Sequence, residues 1–460
     1  MKRNFLMAIG CSMLLFASPI FAQKKSQNTF TPLFDGKTFE GWRVLGGNAK
    51  YSIEDGVIVG EMTKGTPNSF LATDKEFGDF ILELEFKIEG TETNSGVQIR
   101  SHIDPQGNKG RGRVFGKQVE IDPSERAWCG GLYEEGTDRS WIYPLGLYEP
   151  AQKAFKADQF NKLRIEAIGD EVRVWMNDQP TAAVIDTIDR KGIIALQVHS
   201  IPERLNGKKV YFKNINIKTE ALSFTKLPKD MFIVNLKKNN LSPDEKKSGV
   251  KLLFNGVNNK GWRSIDAAHF PKKGWQVKDG EIMVLKSDGG EATNGRDIIT
   301  EKQYRAFDLS FEFQLTPGAN SGVKYFVTLK EQTKGSAIGL EYQILDNEKH
   351  PDAKMGKDGN RTMASLYDLI TSSRDGRAPR EIGEWNRGRI VVTPDNQVTH
   401  YLNGIKMLTY KRGSADFKKI VSGSKYKDWP NFGEAEKGHI LLQDHGDAVR
   451  FRSIKIKELK

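Results

Sequence analysis

Phe80-Ile81-Leu82-Glu83-Leu84-Glu85-Phe86 alternates with a period of two, the spacing that turns one face of a β-strand to a core and the other to water. Leu163-Arg164-Ile165-Glu166-Ala167, Val172-Arg173-Val174-Trp175-Met176 and Val210-Tyr211-Phe212-Lys213-Asn214-Ile215 read the same way. The second half of the chain supplies Phe307-Asp308-Leu309-Ser310-Phe311-Glu312-Phe313 and Arg389-Ile390-Val391-Val392. Glu54-Asp55-Gly56 and Lys278-Asp279-Gly280 carry the Asp-Gly pairs of tight hairpin turns. The 45 glycines suit a turn-rich β fold, and long helical patterns are scarce. The chain is expected to be all-β, with β-sandwiches as its natural architecture.

A duplication fixes the number of sandwiches at two. Phe34-Asp35-Gly36 with Gly41-Trp42 returns as Phe254-Asn255-Gly256 with Gly261-Trp262, 220 residues later. Asn94-Ser95-Gly96-Val97 returns as Asn320-Ser321-Gly322-Val323, and Trp175-Met176-Asn177 as Tyr401-Leu402-Asn403, both 226 residues on. Gln197-Val198-His199 matches Gln443-Asp444-His445 at 246, so the second copy carries about twenty extra residues before its last strands. The first module is placed at residues 33–218, a connector at 219–249 and the second module at 250–460. In the connector, Ser242-Pro243-Asp244-Glu245 has the form of a capping box opening a short helix.

Residues 1–22 read as a secretory signal: Lys2 and Arg3, an apolar run, then Ile20-Phe21-Ala22 before a cleavage point. The chain is therefore expected to be secreted, to the periplasm, with no integral membrane segment once the signal is gone. Cys11 lies too early in the apolar run to favour a lipid anchor over simple export. Signal removal leaves Cys129 as the one cysteine, so no intramolecular disulfide can form. The formal charge of +11 is spread over scattered lysines without a basic-aromatic stripe, which argues against nucleic acid as a partner.

The polar residues of three strands in the first copy are the candidates for a site. Gln98, Arg100 and His102 alternate along one strand, Gln118, Glu120 and Asp122 along a second, and Gln197 and His199 along a third. If the strands are neighbours, amides, carboxylates, a guanidinium and imidazoles converge on one concave surface, a mixture of donors and acceptors suited to a polyhydroxylated ligand. The plain alternative is an ordinary solvated sheet face. In the second copy the aligned set is Lys324, Glu341, Gln343, Gln443 and His445: Lys324 replaces Gln98, Phe326 replaces Arg100, and the order of glutamate and glutamine is exchanged. Trp128, Trp141 and Trp429 could stack on sugar rings or simply pack at the rim. No ligand spacing such as two histidines four apart on a helix is present, and His350-Pro351-Asp352 reads as a loop, so no metal is assigned, although histidine and carboxylates on adjacent strands leave room for a divalent ion.

Leu33-Phe34-Asp35-Gly36, Asn94-Ser95-Gly96, Gln118-Val119-Glu120-Ile121-Asp122, Gly130-Gly131-Leu132-Tyr133 and Ala195-Leu196-Gln197-Val198-His199 together resemble the 3-keto-disaccharide hydrolase family. The second copy resembles it through Glu341-Tyr342-Gln343-Ile344-Leu345-Asp346, Ala364-Ser365-Leu366-Tyr367 and Gly438-His439-Ile440-Leu441-Leu442-Gln443-Asp444-His445-Gly446. The resemblance implies a concanavalin A-like jelly roll in each module and exported proteins that act on 3-oxidised sugars, with a small oligosaccharide or glycoside as substrate. A ketone at C3 acidifies the C2 proton; a base removes it, the C1 substituent leaves, and water adds back. That route needs a base, groups that stabilise the enolate and a proton donor for the leaving oxygen. His199 or Glu120 is the candidate base in the first copy, with Arg100 for the enolate, Tyr133 as donor, and Gln98, Gln118, Asp122, Gln197 and Trp128 holding substrate. In the second copy the parallel set is His445 and Glu341 for proton transfer, Lys324 for the enolate and Tyr367 as donor, with Gln343 and Gln443 binding. Two competing readings are a non-catalytic carbohydrate-binding protein and an ordinary sandwich endoglucanase using Glu120-Ile121-Asp122-Pro123-Ser124-Glu125.

Overall fold

The computed structural model describes residues 29–287, 290, 294–333, 336–376 and 378–460, so the signal-like residues 1–22 lie outside it. Each module is a pair of stacked antiparallel sheets, as the period-two strands require. In the first module the outer sheet has nine strands among the described residues, with Phe80–Ile88 between Asn161–Ile168 and Lys209–Lys218. The facing sheet runs Ser140–Tyr143, Leu132–Glu135, Arg113–Ile121, Ser95–Asp104, Ile193–Val198, Ser69–Thr73, Trp42–Gly46. Leu82, Leu84 and Phe86 from one sheet and Val97, Ile99, Val119, Ile121 and Leu196 from the other fill the space between them. The second module repeats this with sheets of eight and five strands among the described residues. The expected pair of jelly-roll sandwiches is what the chain forms.

Local signals hold at named positions. Asp55 and Gly56 have φ of +49° and +79°, and Asp279 and Gly280 +52° and +74°, the left-handed pair that an Asp-Gly hairpin turn needs. Ser242 accepts from Glu245 N–H while the Glu245 carboxylate accepts from Ser242 N–H, completing the capping box of the helix Pro243–Lys247.

The connector is a wedge between the modules. Val234–Asn235 extends the first module's outer sheet by pairing in parallel with Gln179–Ile185. Ten residues on, Glu245 receives Lys455 Nζ of the second module at 2.8 Å. Arg389 lies 3.9 Å over the Phe232 ring, and Arg387 and Arg380 donate to the Ile142 and Arg139 carbonyls at 2.8 and 2.9 Å. No helix among the described residues is long and apolar enough to cross a membrane.

Candidate functional site

In the first module the apolar residues of Ser95–Asp104 and Arg113–Ile121 face the core, so Gln98, Gln118 and Glu120 must share the opposite face. Gln98 pairs directly with Gln118 and Gly96 with Glu120. Gly96 is required there, because a Cβ at that position would lie 2.3 Å from the Gln118 side chain, which covers it. Gln98 Nε2 donates to Gln118 Oε1 at 2.8 Å, and Gln118 Nε2 donates to Glu120 Oε2 at 2.8 Å. Asn94 Nδ2 donates to the other Glu120 oxygen at 2.7 Å. Burial, only partly offset by these two donors, pushes the Glu120 carboxyl up to about 7. Gln197 reaches Glu135 at 3.4 Å, and Asn68 holds the other Glu135 oxygen at 3.1 Å. His199 approaches the same carboxylate, and its Nδ1–H donates to the Ser200 carbonyl at 2.5 Å. Tyr133, raised by burial and by Glu135 and Glu120, packs edge to face on Trp141, which meets Trp128 at 4.6 Å; both indoles are buried in the core under Arg126, so Trp128 is a packing residue and not the sugar-stacking one its position suggested.

Arg100 is not part of this surface, contrary to the alternation. The pairing register slips between Gln98 and His102, and Arg100 takes φ of +49°, so the side chain leaves the polar face. Its guanidinium donates to the Gly78 and Gly169 carbonyls at 2.7 and 2.8 Å and to Asp79 at 2.9 Å, tying turns of the opposite sheet. His102 is likewise outside, paired with Asp189 at 2.7 Å. Asp122 is engaged by Arg126 at 2.6 Å and by Ser124 N–H at 3.2 Å, just past the end of its strand at Ile121. The Glu-x-Asp-x-x-Glu face of a sandwich endoglucanase therefore does not form.

The second module repeats the scaffold with other charges. Ser321 Oγ donates to the Gln443 carbonyl at 2.8 Å as Ser95 Oγ does to Gln197 at 2.7 Å. Lys324 pairs with Glu341 across the sheet and Gly322 with Gln343. Lys324 Nζ stands 3.7 Å from Glu341 Oε2, both side chains almost fully buried. Phe326 keeps the left-handed bulge of Arg100, with φ of +55°, and carries Arg412 at 3.7 Å over its ring.

The extra residues build one wall. Ser414 caps a helix over Ala415–Ser422, and the chain then stacks Tyr426 on Phe432 at 4.0 Å with Trp429 against both. Lys425 lies 4.1 Å over the Tyr367 ring; burial lowers it, opposed by the nearby Glu341 and Asp368 carboxylates. Burial with Glu341 close by raises Tyr367 and Tyr426 well above the ordinary phenol range. Arg361, paired with Asp352 at 2.7 Å and Asp368 at 2.6 Å, backs Tyr367 from 5.3 Å.

Lys324, Glu341, Tyr367, Gln343 and Gln443 thus share one module face, and Lys425 joins them without any periodic signal. His350, read as a loop residue, is in a loop, where it caps the short helix Pro351–Lys354, but its ring also meets that of His445 at 5.8 Å. Glu135, Asn68 and Asn94 were missed in the first module. Asn94 could have been found, since Asn-Ser-Gly-Val is duplicated: Asn94 Oδ1 and its counterpart Asn320 Oδ1 are both buried with no hydrogen-bond partner among the described residues.

A profile of the 3-keto-alpha-glucoside-1,2-lyase-like domain matches the chain twice, over residues 29–218 and 249–457. A 3-keto-disaccharide hydrolase of Bacteroides thetaiotaomicron is 36% identical over 232 residues, covering 46% of this chain and 79% of that protein. A solved structure from Parabacteroides distasonis, provisionally described as a glycosyl hydrolase, is 29% identical and covers 49% of this chain and 100% of its own, with a TM-score of 0.42. The carbohydrate-binding module CBM66 of Bacillus subtilis covers 39% of this chain and 95% of its own at 16% identity, with a TM-score of 0.25. The chain is a carbohydrate-active protein that belongs to the 3-keto-alpha-glucoside-1,2-lyase-like domain family, in two tandem copies.

Proposed function

We propose that the second module cleaves 3-keto glycosides by elimination and hydration, in a protein exported from the cytoplasm, and that the first module binds sugar. The observation that carries this reading is the buried Glu341 carboxylate held 3.7 Å from Lys324, with Tyr367 and Lys425 beside it. Glu341 takes the C2 proton of the substrate. The C2–H electrons pass to the C3 oxygen as an enolate, which Lys324 and Lys425 stabilise. Collapse of the enolate restores the ketone, forms the C1=C2 bond and expels the C1 oxygen, which Tyr367 protonates. Water adds its hydroxyl to C1 and a proton returns to C2, so the net reaction is hydrolysis. Gln343 and Gln443 orient the hydroxyls.

The first module has a carboxyl poised near neutrality in Glu120, but Arg100 is committed elsewhere and the floor of Gln98, Gln118, Glu120, Gln197 and Glu135 holds no cation for an enolate. Its amides and the unpartnered Asn94 oxygen suit a bound saccharide.

The test is turnover of matched 3-keto and unoxidised glycosides by the full chain. Glu341→Gln is expected to lower kcat on the keto substrates by about 10²–10⁴-fold, and Glu120→Gln by less than about twofold. Cleavage of unoxidised glycosides alone, or an unchanged rate in Glu341→Gln, rules the reading out.

A further inference from the structure

His350, His445 and Asp447 offer one ligand atom each within 4.8 Å of one another, and all three are partly buried. They come from separate parts of the second module. His350 lies in the loop after the strand Ser336–Leu345; His445 and Asp447 follow the strand His439–Leu442. The two imidazole planes stand at 84° with centroids 5.8 Å apart, an arrangement that brings ring edges together without stacking. Asp447 is already oriented, because its Oδ2 accepts from Asn320 N–H at 3.0 Å, leaving its second oxygen available.

We propose that these three side chains bind a divalent transition-metal ion at the edge of the second module's polar face. Two imidazoles and a carboxylate match the donor preferences of Mn²⁺, Co²⁺ or Zn²⁺ rather than those of Ca²⁺ or Mg²⁺, which favour all-oxygen shells. Three protein ligands leave coordination positions open, the pattern of a site that takes an exogenous oxygen. The cost is small. His350 Nδ1 accepts a long bond from Asp352 N–H at 3.2 Å, and an ion on either ring nitrogen displaces it. If Nδ1 ligates, its lone pair is used; if Nε2 ligates, Nδ1 carries the proton.

The first module cannot build this site. His199 is the counterpart of His445, but Ile201 stands where Asp447 does, and the loop after Ile121 carries no histidine. The remaining histidine there, His102, is paired with Asp189. The cluster is thus a property the two copies do not share.

The location gives the ion a use, in a step that rests on the proposed 3-keto glycoside cleavage. Gln443 N–H donates to the Gly322 carbonyl at 3.0 Å, and Gly322 is the residue covered by the Glu341 side chain. His445 lies two residues past Gln443, about 7 Å along an extended chain. An ion there would bind the C3 ketone oxygen and an adjacent hydroxyl of the substrate and hold the enolate charge beside Lys324.

Untagged full-length protein, stripped with chelator and dialysed, is to be titrated with Co²⁺ and followed by its visible d–d bands, with Zn²⁺ competition by calorimetry. One equivalent per chain is expected, with affinity lowered about 100-fold or more in His445→Ala and in Asp447→Ala, and stoichiometry kept at one in His199→Ala. No bands at millimolar Co²⁺, or the same single site in both His445→Ala and Asp447→Ala, overturns the proposal. The titration needs no substrate, so it stands apart from the cleavage reading. One bound equivalent with no keto-glycoside turnover in the wild type defeats that reading and leaves the metal site intact; turnover with no bound ion does the reverse.

Discussion

The two modules hold one backbone and two electrostatic designs. Ser95 and Ser321 make the same bond to the carbonyl of the neighbouring glutamine, and Gly96 and Gly322 make the same space beneath a long side chain. The carboxylate, however, has moved two residues along the strand face, about 7 Å. In the first module Glu120 sits opposite Gly96 and is met only by amides, so burial makes it a weak acid near neutrality. In the second, Glu341 sits opposite a lysine that neutralises it, and Gln343 takes the amide's role. A duplicated sandwich can therefore change chemistry by exchanging three side chains on two neighbouring strands while the pairing of those positions is kept.

The largest effect expected from breaking this difference is at the lysine. Lys324→Met should lower kcat on a 3-keto glycoside by about 10²-fold, the scale of losing one charged stabiliser, whereas Gln98→Met should change it less than about threefold. Steady-state kinetics on both variants, with circular dichroism to confirm folding, decides it.

Next in size is the pH response of Glu120. A carboxyl whose folded pKa stands above its unfolded value binds more protons when folded, so stability falls as pH rises from 4.5 to about 7 and the penalty is complete above that. Glu120→Gln removes the titrating group, so the drop in Tm between pH 5 and pH 8 should shrink by the equivalent of about 2 kcal/mol. An identical pH profile in the variant would place the Glu120 carboxyl at its ordinary value.

The smallest effect sharpens the comparison through the glycines. A Cβ at position 96 would stand 2.3 Å from Gln118, and one at 322 would stand 2.5 Å from Glu341. Each alanine variant should cost about 1 kcal/mol of stability in denaturant unfolding. Only Gly322→Ala should also slow turnover, by about tenfold, since it displaces the proposed base. Equal kinetics in the two variants would remove the distinction between the modules.

Much of this was legible in the sequence because the physics is local or periodic. Alternation at Phe80–Phe86 dictated a strand with Leu82 and Leu84 inward, and the same alternation put Gln98, Gln118 and Glu120 on the other face. The duplication gave two modules and located the insertion. Arg100 failed because a period-two reading assumes an unbroken ladder, and the bulge after Gln98 carries the residue to the other side. Lys425 was invisible, and His350 was read only as a loop residue, for a different reason: both reach the site from loops, whose direction is set by tertiary packing such as the Tyr426–Phe432 stack. The connector's role as a wedge was hidden too, since only its capping box had a local signature.

Each sandwich is zipped by its own ends. Thr31–Pro32 pairs with Lys209–Lys218, and Val250–Leu252 pairs with Val449–Glu458, the last strand of the second module. An emerging chain can therefore complete its first sandwich before the second is whole. The second must wait for Val449–Glu458 before its opening strand finds a partner. Until that moment its apolar strands stay uncovered, and non-local pairing of this kind is slow even once the partner arrives. The late strand, rather than either site, sets the interval in which this protein depends on being kept from its neighbours.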